Sequence, residues 1–293
     1  MQLEEIVKEK QTIYEKHYKL LTFLSLCLLI VALIYLTFYF FSSGELFKKD
    51  ISLKGGTTLT LTGNYDKSTL ERELKKFTNS YIIKYTKNSY TGEIVASVID
   101  ADINEEEARK IASMLNLSEA DYSIETMSSS LGENFFRQLE ISLLIAFLFM
   151  GIIVFILFRT FVPSIAVILA ALTDMIVCLA IINLIGKPIS TAGIAAFLML
   201  IGYSVDTDIM LTIKVLKRRE QKLSERLLSA LKTGLTMSLI AFFASLVGFL
   251  FSMSSVLKEI FLILMIGIAI DIFSTWIGNA SIITWYVKKR YNE

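Results

Sequence analysis

Asp206 and Asp208 lie within residues 199–212, an otherwise apolar stretch followed by Lys214, Lys217, Arg218 and Arg219. Asp174 and Asp271 also fall inside long apolar runs. A carboxylate near the middle of a bilayer costs about 2.5–3.5 kcal/mol on insertion scales, so it should face protein or trapped water rather than lipid. Two carboxyls sharing a low-dielectric site cannot both ionise easily. At least one of this set is therefore suited to take up and release a proton near neutral pH, and proton handling is the chemistry the spacing points to. With a helix rise of about 1.5 Å per residue, Asp174 lies roughly 15 Å into its run and Asp206 roughly 12 Å from Lys214. The two thus sit near one level. Asp206 and Asp208 are two positions apart and project to nearly opposite sides of a helix. Asp206, one turn after Gly202 and Tyr203, is expected to face the bundle axis. The structural alternative has Asp174 bonding Ser or Thr hydroxyls across a helix contact, and Asp208 pairing with Lys214 or a partner chain.

The rest of the chain must position these acids in a membrane. Of its 293 residues, 54% are hydrophobic and the net charge is +1, with a mean hydropathy of +0.59. This is membrane-class composition, and it gives no case for nucleic acid or a strongly acidic partner. Cys27 and Cys178 are each embedded in apolar sequence and too few for a disulfide framework. The single His17 has no second His or Cys beside it, so no metal site is expected.

Residues 1–19 form a mixed-charge segment ahead of a first span at 20–41, read as an uncleaved anchor rather than a signal peptide. Residues 42–138 hold no spanning segment and form a separate α+β domain. Within it, 57–62, 81–86, 93–100 and 122–127 read as strands, with a turn at 88–92. Residues 68–77 read as a helix with a Ser68–Glu71 capping box, and 104–116 as a second helix with Glu105, Glu106 and Glu107 in its first turn. The order β-α-β-β-α-β is the ferredoxin-like split-βαβ arrangement. Five further spans follow at 139–158, 164–185, 190–212, 228–251 and 260–287, with a short tail at 288–293. The expected fold is an α-helical polytopic membrane protein of six transmembrane helices, with the α+β domain between the first and second.

Lysine and arginine cluster before the first span, at Arg159, from Lys214 to Arg226, and at Lys288, Lys289 and Arg290. The opposite short loops offer only Lys187 and Lys258. The positive-inside bias makes both termini and the tail cytoplasmic and the large loop external. Small residues four apart, such as Ser274 and Gly278, suit close helix packing. Trp276 and Trp285 read as lipid-facing or interfacial.

The motif Gly202-Tyr203-Ser204-Val205-Asp206-Thr207-Asp208, after Ser190-Thr191-Ala192-Gly193, resembles the fourth span of the SecF family of protein-export membrane proteins. Leu53-Lys54-Gly55-Gly56-Thr57 looks like the glycine-pair motif that opens that family's external domain. Arg159 to Ser164, Asp174, the stretch Lys232-Thr233-Gly234-Leu235-Thr236-Met237, and Gly267 with Asp271 also match in order. The likeness runs from about residue 44 to the end. Bacterial members have Gly-Tyr-Ser-x-Asn-Asp-Thr in the fourth span and glycine at the position of Asp271. Here the order Asp206-Thr207-Asp208 is closer to that of the sister protein SecD, and both features resemble the archaeal branch. The bacterial fifth-span arginine has no clear counterpart, since Ser229 or Ala230 falls near its place.

The resemblance implies an auxiliary subunit in the cell membrane that pairs with SecD beside a SecY-type channel and assists export of unfolded polypeptides. It further implies coupling to the proton gradient through intramembrane aspartates, on a plan similar to resistance-nodulation-division exporters. No cofactor and no enzymatic activity are expected. Two alternatives compete. One is a scaffold that stabilises SecD and the channel without moving protons. The other is an intramembrane aspartyl protease built on Asp174 and Asp206, but the Gly-x-Gly-Asp and Pro-Ala-Leu signatures of that class are missing from the sequence.

Overall fold

The computed structural model describes residues 2–87, 92–217 and 222–291. The expected turn at 88–92 therefore lies mostly outside the described residues, as do Arg218 and Arg219. Helix α1 (Gln2–Ser43) breaks at His17, where φ is −119° and ψ is 16°. That break falls where the charged segment meets the first span, His17–Ser43.

The α+β domain begins with a single turn, α2 (Ile51–Lys54), capped by the Asp50 carboxylate accepting from the Ser52 N–H. It continues through β1 (Gly56–Thr62), α3 (Lys67–Leu74), β2 (Tyr81–Lys87), β3 (Ile94–Ala101), α4 (Glu105–Met114) and β4 (Tyr122–Met127). The four strands form one antiparallel sheet in the order β2-β3-β1-β4. This is the order a split-βαβ chain must take, because β3 returns between β1 and β2. Alternation along the strands sends Leu59, Leu61, Ile99 and Ala101 into one core with Leu70, Leu74, Ala108 and Ile111 of the two helices. Asn104 and Glu107 form a reciprocal capping box on α4. The box expected on α3 does not form: the helix starts at Lys67 behind Asp66, and Ser68 donates its hydroxyl to Asp66 instead of capping.

Five spans complete the bundle. They are α5 (Ser129–Phe158), α6 (Phe161–Leu184), α7 (Thr191–Lys217), α8 (Leu223–Phe251) and a last span, Ser255–Arg290. The last span consists of α9 (Ser255–Phe273), a π-helical stretch (Ser274–Asn279) and α10 (Ala280–Tyr291). Pro163 sits in the first turn of α6, where its missing N–H leaves no intrahelical bond unmade. Helix α6, α7 and the last span are the most buried, whereas α5 and α8 turn long apolar faces outward. Lys288 lies over the Tyr18 ring, so both chain termini are at one end of the bundle.

The domain is fastened to the other end by backbone. Asp50 N–H donates to the Ile189 carbonyl at 2.9 Å, and Ile189 N–H donates to Lys48 at 2.8 Å. Thr191 N–H donates to Ser52 Oγ at 3.1 Å. Ser190 donates its N–H and its hydroxyl to the two carboxylate oxygens of Glu259, each at 2.8 Å. Gly55, at φ +84°, lies so close to α5 that a side chain there would strike the Ser129 backbone. A Cβ on Gly132 would in turn meet Gly55 N at 2.7 Å. Behind this joint Lys84 bridges Asp50 at 2.8 Å and Asp100 at 2.6 Å. Burial disfavours its charge, but the two carboxylates outweigh that and hold the Lys84 ammonium above the ordinary lysine range.

Gly55→Ala is expected to cost about 1–3 kcal/mol from its backbone conformation alone, and more from the collision with Ser129. Thermal unfolding of the purified protein should show a lower midpoint, and limited proteolysis should cut faster near residue 50. Lys84→Met should lower the midpoint more than Lys67→Met, which removes only an exposed helix pair with Glu71. Because the folded-state affinity of Lys84 for its proton is raised, this difference should be full below the ordinary lysine range and shrink as pH rises through it. It should vanish only as pH rises above it.

Candidate functional site

Three helices place one carboxyl each at the centre of the bundle. Asp174 of α6, Asp208 of α7 and Asp271 of α9 are all fully buried. Ser204 is one turn before Asp208 on the same face of α7 and donates to Asp174 Oδ2 at 2.5 Å. Ser274 donates to Asp174 Oδ1. Asn279 Nδ2 donates to Asp208 Oδ1 at 2.6 Å. Thr275 Oγ1 lies 2.9 Å from Asp208 Oδ1 and 3.1 Å from Asp271 Oδ1.

The Thr275 contacts constrain protonation. A hydroxyl has one proton and can donate to only one carboxylate, so the second contact is favourable only if that carboxyl donates to Thr275. Both contacts are satisfied together when Asp208 or Asp271 carries a proton. Asp208 Oδ2 and Asn279 Oδ1 are buried without a hydrogen-bond partner. An unmet buried polar atom costs about 1–3 kcal/mol. The site is polar and incompletely satisfied.

The π-helical stretch makes the arrangement possible. Its wider turn puts Ser274, Thr275 and Asn279 of one span against acids from two other helices, and such insertions are frequent at functional sites. These three residues were not among the expected site residues. Their signal was present: polar side chains at 274, 275 and 279, just beyond Asp271 in an apolar span.

The expectation that Asp206 faces the axis is corrected. Asp206 is exposed and Asp208 is the buried member of the pair. Gly202 shares the Asp206 face as expected, but that face points outward, because Ser204 and Asp208 form the stripe against α6 and the last span. Asp174 does bond hydroxyls across helix contacts, as the structural alternative supposed. Trp276 is also corrected: it is buried, packed against Gly234, whose missing side chain leaves room for the indole. Trp285 is 37% exposed. Gly267 leaves the same kind of room for Leu200.

The remaining motif residues divide by role. Thr233 accepts from Lys214 Nζ at 2.5 Å, and Lys214 also donates to the Ser229 carbonyl at 3.1 Å. A cation from α7 thus sits on α8 at Ser229. Thr236 is exposed and bonds only its own helix at Lys232. Gly56, at φ +131°, has the Ala101 carbonyl where a side chain would go, and Thr57 donates to the Ile103 carbonyl at 2.6 Å. These act in the domain and its joint. Among the described residues no His, Cys, Asp or Glu group is arranged to hold a metal ion.

Comparison with known proteins places this geometry in a family. The family described as "Protein export membrane protein SecD/SecF, C-terminal" matches residues 107–289. The protein-export membrane protein SecF of Methanothermobacter thermautotrophicus is 39% identical over 250 residues, 83% of this chain and 85% of that protein. SecF of Methanocaldococcus jannaschii is 34% identical over 288 residues, 93% of this chain and 96% of that one. The crystal structure of SecDF, a translocon-associated membrane protein from a Thermus species, superposes with a TM-score of 0.72 at 21% identity. That likeness covers 93% of this chain but only 38% of the longer SecDF chain, and it establishes the shared fold. On the family match and the archaeal relatives together, the chain belongs to the SecD/SecF family of protein-export membrane proteins, on its SecF side.

Proposed function

We propose that this chain is the auxiliary translocase subunit that works with SecD beside a SecY-type channel, assisting export of unfolded polypeptides across the cell membrane. Asp174, Asp208 and Asp271 are its proton-handling centre. The observation that carries this is the buried trio itself, held by hydroxyls and one amide, with two of its acids meeting at the Thr275 hydroxyl. The positive-inside bias puts both termini in the cytoplasm and the α+β domain outside, where it would meet emerging chains. Asp206 lies on the outward face of α7. A carboxylate there avoids lipid only beneath a partner helix, and SecD is the natural source of one.

The scaffold reading shares every packing contact and differs only in whether the trio changes charge. Asp208→Asn and Asp271→Asn keep the shape and remove the titratable group. Each is expected to slow export by about tenfold or more, while SecD co-purifies in normal amount. Loss of SecD in proportion to the export defect would favour the scaffold instead.

Infrared spectroscopy checks the chemistry separately. The native protein should show the carbonyl stretch of a protonated, buried carboxylic acid. That band should shrink in Asp208→Asn or Asp271→Asn and persist in Asp206→Asn.

A further inference from the structure

Glu259 stands near the start of α9, yet both of its carboxylate oxygens serve the start of α7. One accepts the Ser190 N–H and the other the Ser190 hydroxyl, each at 2.8 Å. The same hydroxyl oxygen accepts the Gly193 N–H at 3.2 Å, so Ser190 caps α7 while Glu259 fixes the cap from a second helix. Gly193 leaves the room this needs. A Cβ there would strike Glu259 Oε1 and come within 2.9 Å of Ile189 Cγ2.

The segment held in this way is the one on which the α+β domain rests. On one side of Ser190, Ile189 exchanges backbone bonds with Lys48 and Asp50; on the other, Thr191 N–H donates to Ser52. Glu259 is only half-buried, so protons reach it from the domain-bearing face of the membrane. The charges that bear on it from the domain are Asp50, ahead of α2, and Lys84 of β2. Lys84 is already engaged by Asp50 and Asp100. An ionised carboxylate accepts at both oxygens, whereas a protonated one carries a hydrogen on one of them. Protonation of Glu259 therefore leaves one of the two Ser190 donors without its acceptor.

We infer that Glu259 is the positioning residue of the domain joint: its ionised carboxylate holds the 189–191 segment in the form that seats the α+β domain, and protonation loosens that seat. This role is independent of proton handling at the buried trio and needs only the joint. Both Ser190 donors are met while the carboxylate is charged. The seat is therefore firm above the carboxylate range and loosens as pH falls through it.

Amide hydrogen–deuterium exchange over residues 48–55 tests it on the full-length protein in lipid nanodiscs, with each rate corrected for its intrinsic pH dependence. In the native protein, exchange there should rise by about tenfold or more between neutral pH and the carboxylate range, while the strand amides of 57–62 stay protected. Glu259→Gln should exchange fast at both, with no pH step left. Gly193→Ala keeps the carboxyl but drives it from the α7 turn. It should reproduce the fast exchange at neutral pH, although alanine is the better helix former. A native pH step that persists in Glu259→Gln, or slow neutral-pH exchange in that variant, overturns the role. A step abolished by Asp208→Asn instead assigns the response to the trio and overturns it equally. If Gly193→Ala fails to fold, Glu259→Gln decides alone, since it keeps the side-chain shape. Normal export in Asp208→Asn would remove the proton-coupling reading and leave this role standing.

Discussion

Three carboxyls with no contact to solvent, inside helices that cross a bilayer, form the constraint that the rest of this structure answers. Removing a charged group from water is among the costliest steps in protein assembly, and it is tolerated only with hydrogen bonding or neutralisation. Here the answer is local. Ser204, Ser274, Thr275 and Asn279 supply donors, with Thr275 set between two of the acids. A cation in the same compartment would have fixed the charges. Lys214 lies at the α7–α8 contact instead, donating to Ser229 and Thr233, so the donors at the trio are neutral groups. Neutral donors leave the acids free to change protonation without breaking an ion pair.

Close helix contact is the second requirement, and it follows from the first. Hydroxyl donors are short, so helices carrying them must approach nearer than leucine-faced helices would. Gly267 receives Leu200, Gly234 receives the Trp276 ring, and Gly278 receives Ser25. Each places a bulky or polar side chain into space that any other residue would occupy. The π-helical stretch Ser274–Asn279 adds the remaining adjustment, by turning three polar side chains of one span toward two neighbours at once.

The fold was legible because its signals are coarse and physical. Six apolar runs of spanning length and a period-two pattern broken by two amphipathic helices leave little freedom in architecture. The inward face of α7 was not legible. Asp206 and Asp208 are two apart, and nothing within α7 says which side meets α6; that is decided by Ser204, whose partner Asp174 lies 30 positions away in sequence. Trp276 misled for a related reason. An indole in a membrane helix suggests the interface, but the glycine that accommodates it is on another span, at Gly234. The π-helical stretch left only a composition trace, because its extra residue per turn is a response to tertiary contacts rather than to local propensity. The α3 cap failed at closer range: Asp66 lies one residue ahead of Lys67 and takes the Ser68 hydroxyl that the expected box required.

The acid site and the α+β domain meet on the same two elements. Helix α7 carries Asp208 near its middle and Thr191 at its start, where the Thr191 N–H donates to Ser52 of the domain. Helix α9 carries Asp271 near one end and Glu259 near the other, where Glu259 grips Ser190 ahead of α7. Both helices run as rods from the acids to the domain end of the bundle. There the Ser190–Glu259 clasp and the Ile189–Asp50 backbone bonds tie both rods to the segment leading into the sheet. Gly55 and Gly132 make the joint to α5 backbone against backbone, which leaves few side chains to absorb a displacement. Packed contacts of this kind switch between discrete arrangements rather than yielding gradually. The same two rods thus hold two of the three buried acids and are tied to the segment leading into the domain.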